Sequence, residues 1–250
     1  MTPHLQYGTT MQQPTENTLK DEIEIAFALP SLPPECHSDD YVRIEQNYVD
    51  LDEVRIVLLP ATATQPAMLL LGSATNGGSS VIPLSDDKYI EFVNAMPAIE
   101  PGSRACELPN EPKKYCARIR CYKRPAGDTY QVINCEFTIK GPGRTSTGRA
   151  EANVTVGDQS VITSLMTMTE KNRIVKNRYT FAVEGREGLF WEVDNVLYPA
   201  PLIKVECELP CEGTEHPVPP ASWRAVNVSS DRAYDNATIA LSGNVPVYPG

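Results

Sequence analysis

Between residues 174 and 209 the chain reads IVKNRYTFAVEGREGLFWEVDNVLYPAPLIKVECEL, which sets charges of both signs on alternate positions of runs otherwise made of β-formers. In an extended strand residues i and i+2 share a face, about 6.5 Å apart at a rise of ~3.3 Å per residue. Lys176 therefore projects with Arg178, Glu192 with Asp194, and Glu206 with Glu208. Val175, Tyr179, Trp191, Val193, Val205, Cys207 and Leu209 take the opposite face. A half-exposed sheet, polar out and apolar in, has this pattern. So does a closed sheet whose charged faces line a lumen and whose apolar faces are covered from outside.

An earlier series repeats the alternation. Arg118 and Arg120, Thr138 and Lys140, and Arg149 and Glu151 share faces, set against Ile119, Phe137, Ile139, Ala150, Ala152 and Val154. The pattern predicts strands over 115–122, 131–140 and 147–156, with turns at RPAGD and GPGR. Two further strands are predicted over 22–29 and 41–50, separated by the loop SLPPECHSDD. The polar stretch 1–20 has few apolar anchors and is expected to be a loose tail.

Over 53–114 the character changes. VRIVLLP and AMLLLGS are near-continuous apolar runs and read as buried sheet. Ser85 can cap a helix with Asp86 and Asp87 in its first turn and Tyr89, Phe92, Val93 and Met96 on one face. The Pro-rich AMPAIEPGSRACELPNEPKK reads as a connection. A second helix is expected over 160–171, with Val161, Ile162, Leu165 and Met168 at helical spacing.

A chain of 250 residues can bury a substantial core, and its net charge of −10 excludes a broad basic face for duplex nucleic acid. A local cationic pocket inside an acidic shell remains open, and an anionic partner is then small. Seven cysteines form an odd set behind no signal-like leader, which points to a reducing, cytoplasmic setting. Neither Cys116 with Cys121 nor Cys207 with Cys211 has zinc-knuckle spacing, and only three histidines exist. No apolar run reaches the ~18 residues needed to cross a bilayer, so a soluble protein with no membrane partner is expected.

Taken in order, the fragments EIE, RIEQNY, ARIR, FTIKG, GRAE, VKNRY, WEVD, VECEL and RAYDN resemble the CYTH family, the triphosphate tunnel metalloenzymes. The likeness is close over 115–239 and looser over 22–50, with an insertion at about 53–114. It implies a mainly β, α+β fold: a closed antiparallel eight-stranded tunnel barrel with a charged lumen and helices packed outside. One such domain would span 21–250 after a flexible tail at 1–20. The resemblance assigns Arg118, Arg120, Lys140, Arg149, Lys176 and Arg178 to substrate phosphates, whose oxygens suit charge-assisted hydrogen bonds. It assigns Glu22, Glu24, Glu151, Asp194, Glu206 and Glu208 to Mg²⁺ or Mn²⁺, cations that prefer oxygen ligands. Asp194 is equally suited to orienting a lumen arginine. Arg55, in VRI after QNY, competes with Arg118 and Arg120 for the arginine pair. Tyr234 and Asn236 in RAYDN match a closing structural element.

The implied activity is metal-dependent hydrolysis of inorganic triphosphate or of a small organic or nucleoside triphosphate. Two departures motivate an alternative, a catalytically impaired nucleotide- or polyphosphate-binding protein: Ala26 stands where the family has lysine and Asn153 where it has glutamate. The family also holds class IV type adenylate cyclases, which form cyclic AMP. A homodimer is left open, and the proton acceptor is not identified.

Overall fold

The computed structural model describes residues 23–37, 40–75, 77–111, 114–142, 149–211 and 213–250. Glu22 and the tail expected over 1–20 lie outside the described residues. Arg149 is described as strand backbone only.

The described elements begin with β1 (Ile23–Leu29), β2 (Val42–Tyr48), β3 (Val54–Leu59), β4 (Ala67–Ser73), β5 (Ser79–Leu84), α1 (Asp86–Ala95) and β6 (Cys106–Glu107). They continue with β7 (Cys116–Ala126), β8 (Thr129–Pro142), β9 (Arg149–Thr155), α2 (Gln159–Met168), β10 (Arg173–Ala182), β11 (Phe190–Tyr198), β12 (Leu202–Leu209), β13 (Val226–Asn227) and α3 (Asn236–Ser242). The fold is mainly β, as the alternation requires. Nine strands form one sheet in the order β13-β1-β12-β11-β10-β2-β7-β8-β9. Every neighbouring pair is antiparallel.

Register sets charge against charge. Glu24 faces Glu208 and Ala26 faces Glu206 across β1 and β12. Arg178 faces Asp194, Asp194 faces Lys204, and Lys140 faces Glu151. The sheet curls until Glu24 and Ala26 at one end and Glu151 and Asn153 at the other line a common cavity. It differs from the expected closed barrel in that no ladder joins β9 to β1 among the described residues. The reason is local: β13 pairs with Phe27 and Ala28, Val228 N–H donates to Ala26 O, and Ala26 N–H donates to Ser229 Oγ. Those contacts use the edge of β1 that closure would need.

The apolar alternates lie on the convex face. Ala117, Ile119, Cys121, Cys135, Phe137, Ile139, Ala152 and Val154 share one core with the inserted segment and α2. Within that segment β5, β4, β3 and β6 form a second sheet, which buries Ile56, Leu58, Leu69 and Leu71. In α1, Asp86 and Asp87 occupy the first turn and Tyr89, Phe92 and Ala95 are buried. The acidic pair suits the positive end of the helix dipole. Each fully buried large side chain here contributes about 1.5–3 kcal/mol by leaving water. The end of α1 approaches β8 so closely that a Cβ on Gly141 would overlap the carbonyl oxygen of Ala95. The expected helix over 160–171 is α2, capped by Asp158, followed by a 3-10 turn at Glu170–Asn172.

A second cluster covers the convex face of β1, β12, β11 and β10, where Trp191 packs edge-on between Phe27 and Trp223. A third lies on the concave side. There Ala28, Tyr48, Ile174, Val196 and Leu202 meet Tyr234, Ile239 and Ala240. This corrects the expectation that the helices pack outside: α1 and α2 do, whereas α3 covers apolar residues at one end of the concave face.

Candidate functional site

The concave face encloses a cavity of about 1320 Å³. Alternate residues of eight strands reach it, because the period of two sends every second side chain inward. Its strand-borne cations come from β7 (Arg118, Arg120), β8 (Lys140), β10 (Arg178) and β12 (Lys204), and Lys114 and Arg232 line it from outside the strands. Its carboxylates include Glu24, Glu136, Glu151, Glu192, Glu206 and Glu208.

On the β8–β9 side, Lys140 Nζ lies 2.9 Å and Arg118 Nη2 4.0 Å from the Glu151 carboxylate. Asn153 donates through Nδ2 to Glu151 at 2.8 Å and accepts through Oδ1 from Thr138 Oγ1 at 2.6 Å. The amide at position 153 thus clamps Glu151 against the cations, where a second carboxylate would repel it. On β7, Arg120 donates to Gln46 at 3.1 Å and to Tyr122 at 3.0 Å, and Tyr122 donates on to Glu136 at 3.2 Å.

The opposite wall is more enclosed. Arg178 grips Asp194 with two bonds of 2.7 Å, pairs with Glu192, and reaches Glu206 at 3.3 Å. Lys176 Nζ also donates to Asp194. Lys204 Nζ donates to Glu206 at 2.8 Å and to Tyr234 O at 2.7 Å. Burial pushes Lys176 down to about 8, with Arg178 adding to the effect. Burial alone would raise the carboxyls of Asp194 and Glu206, yet the cations around them hold both below the usual range. Lys204 is held above its ordinary value because Glu206 outweighs its burial. Glu24 is raised, first by the Glu206 carboxylate and then by enclosure.

The structure thus brings Arg118, Arg120, Lys140, Arg178, Glu24, Glu151, Glu206 and Glu208 to one cavity. Lys176 and Asp194 share that parity but are fully buried, paired with each other behind the lining. Asp194 thus makes the arginine contact that one of its two alternatives requires. The Arg149 side chain and all of Glu22 lie outside the described residues. Arg55 is excluded from the arginine pair: it sits on β3 in the second sheet, bonded to Glu107. Lys204, Gln46, Tyr122 and Glu136 are additions. Lys204 was signalled by LIKVECEL, where it has the parity of Glu206 and Glu208.

Among the described residues no three His, Cys, Asp or Glu side chains gather to hold a metal ion by themselves. Glu24, Glu206 and Glu208 nevertheless offer hard oxygen donors, and the mutual repulsion of Glu24 and Glu206 is what a cation would relieve. Mg²⁺ commonly takes one or two carboxylates and completes its shell with phosphate oxygens and water, so this donor set fits.

Cys121 and Cys135, opposed on β7 and β8, form a disulfide, and the other five cysteines are free. No helix of the described residues is long and apolar enough to cross a membrane.

No family model and no curated protein matches the sequence. Among solved structures, the chain is similar to the hypothetical protein NE1496 at 19% identity and a TM-score of 0.41, over 90% of this chain and 99% of that one. A structure of the inorganic triphosphatase NE1496 gives 18% identity and a TM-score of 0.40 over 90% and 97%. PH1819 from Pyrococcus horikoshii OT3 gives 15% and 0.34 over 77% and 80%. TM-scores of this size decide nothing about what the chain does.

Proposed function

We propose that the cavity binds a small triphosphate-containing ligand and, with Mg²⁺ or Mn²⁺, hydrolyses it. The observation that carries this reading is the convergence of Arg118, Arg120, Lys140 and Arg178 with Glu24, Glu206 and Glu208 on one enclosed space. Arginine forks match phosphate oxygens, and in a confined site their attraction is far stronger than in bulk water. The curled sheet acts as the tunnel of the resembling family, with the C-terminal segment at one end.

Arg118, Arg120 and Lys140 would hold the phosphate chain, and Arg178, fixed by Asp194, would meet it from the facing wall. One or two of the carboxylates Glu24, Glu206 and Glu208 would hold the divalent cation, with phosphate oxygens and water completing its shell. When bound, that cation supplies charge neutralisation at the phosphoryl oxygens. Hydrolysis breaks one phosphoanhydride bond: water adds to phosphorus, the bridging oxygen leaves with the departing phosphate, and the water proton passes to solvent. Side chains fixed before the ligand arrives need little reorganisation during the reaction.

One observation favours a second reading, a binding protein without turnover. Asn153 holds Glu151 against Lys140, a pairing that competes with metal binding by Glu151. The test is incubation with tripolyphosphate, nucleoside triphosphates and Mg²⁺ or Mn²⁺, with phosphate, pyrophosphate and cyclic nucleotide quantified. Phosphate release lost in Glu208→Ala supports hydrolysis. Binding without product supports the second reading, cyclic nucleotide points to a cyclase, and neither binding nor product refutes the proposal.

A further inference from the structure

The walls of the cavity are charged unequally. Arg118, Arg120 and Lys140 reach it from β7 and β8, with Glu136 and Glu151 beside them, whereas β1, β11 and β12 present Glu24, Glu192, Glu206 and Glu208, met from β10 by Arg178, which is bonded to Glu192 and Glu206. Within β1, β11 and β12, residues 23–29, 190–198 and 202–209, Lys204 is the only cation in the sequence. A polyanion gripped from the arginine side alone would lie against that row of carboxylates, and like charges brought together in a confined site are costly.

Lys204 is built to offset this. It is 2% exposed yet lines the cavity, so its ammonium is presented from a fixed position. The β1 side chains across the ladder are small: Ala28 is its direct partner and Ala26 faces Glu206. Those alanines offer no cation and leave room for the lysine stem. The ammonium has three N–H bonds, of which Glu206 and Tyr234 O take two.

We propose that Lys204 anchors a polyphosphate to the carboxylate-bearing wall and so selects chains long enough to span the cavity from the arginine cluster. The inference rests on the reading of the cavity as a polyphosphate site. On this proposal a pyrophosphate seated on Arg118, Arg120 and Lys140 would not need Lys204, whereas a tripolyphosphate would engage it. The tether to Tyr234 O makes the C-terminal segment the support that holds the ammonium in place.

The test is calorimetric titration of the full chain with tripolyphosphate and with pyrophosphate, in chelator so that no turnover occurs. Lys204→Met should weaken tripolyphosphate about 10- to 100-fold, the range of one charged hydrogen bond, and pyrophosphate by less than about threefold. Lys204→Arg should restore most of the loss. If the wild type binds tripolyphosphate and Lys204→Met binds it equally well, or loses both ligands equally, Lys204 has no such role and the polyphosphate site stands. If the wild type binds neither, both readings fall. Should Lys204→Met not fold, the ¹⁵N resonance of the Lys204 ammonium in the wild type gives the answer. It should shift with tripolyphosphate and stay still with pyrophosphate, and a resonance unmoved by tripolyphosphate overturns the proposal.

Discussion

Replacing Asp194 by asparagine preserves the shape of the side chain and removes one charge from the most enclosed part of the wall. Asp194 is fully buried and accepts from Arg178 Nε and Nη2, both at 2.7 Å, and from Lys176 Nζ. In the variant Lys176 stays sealed from water without its counter-charge, and Arg178 at the cavity wall keeps only Glu192 and Glu206. Removing one partner of a buried pair costs about 3–5 kcal/mol, against a total stability of about 5–15 kcal/mol for an ordinary domain. The variant has one means of relief. Arg178 cannot give up its proton, but Lys176 can. Lys176 already sits at about 8 through burial and Arg178, and Asp194 is the foremost group holding it up. Without Asp194 it falls further.

An unfolded lysine keeps its ordinary value of 10.5. Between the folded and unfolded values the unfolded chain binds the extra proton, so stability rises with pH. In Asp194→Asn that window opens at lower pH than in the wild type. The deficit should therefore be largest near about pH 6 and narrow toward about pH 9, leaving the part owed to Arg178. Urea unfolding of both proteins across that range measures it. A deficit below about 1 kcal/mol, the value of an exposed pair, would refute the assignment of a buried network. A deficit independent of pH would refute the role given to Lys176.

Gly141→Ala should lower stability by about 1–3 kcal/mol, the cost of overpacking, because the new Cβ meets the backbone of Ala95 and not a movable side chain. A thermal melt should show a fall of about 2–12 °C, and an unchanged melt would mean that α1 does not press on β8 in solution. Reducing Cys121–Cys135, which are 14 residues apart, should cost about 3 kcal/mol by freeing the unfolded chain. Thiol titration in denaturant without reductant should find the five free cysteines, and a count of seven would show the bond absent.

Much of the main sheet was legible because alternation reports parity directly. The lining residues Arg118, Lys140, Glu206 and Glu208 follow from that parity alone once the concave face is known. Parity does not report depth. Lys176 and Arg178 share a face, yet Lys176 is sealed behind the wall while Arg178 reaches the cavity, a difference set by how strands cross. Nor does parity report pairing: the role of Asn153 depends on its position beside Glu151 and across from Thr138. Lys204 carried a readable signal in LIKVECEL, but its worth emerges only when β1, β11 and β12 lie together as one wall. The lack of a β9–β1 ladder among the described residues could not be read at all. It turns on the two residues of β13 and on Ser229, a stretch too short to announce a strand.

That edge contact has a consequence for biogenesis. β1 lies between β12 and β13, and its bond from Ala26 to Ser229 spans 203 positions. During synthesis from the N-terminus, the first strand of the sheet emerges with neither neighbour yet made. Its apolar residues Ile25, Phe27 and Leu29 must wait for residues 202–209 and then 226–229. Contacts this distant in sequence form slowly, and an unpaired strand edge invites other chains meanwhile. The nascent protein is thus most vulnerable until residues 226–229 have been translated, and a ribosome-bound chain stopped before residue 202 should be recognised by chaperones as lacking both neighbours of β1.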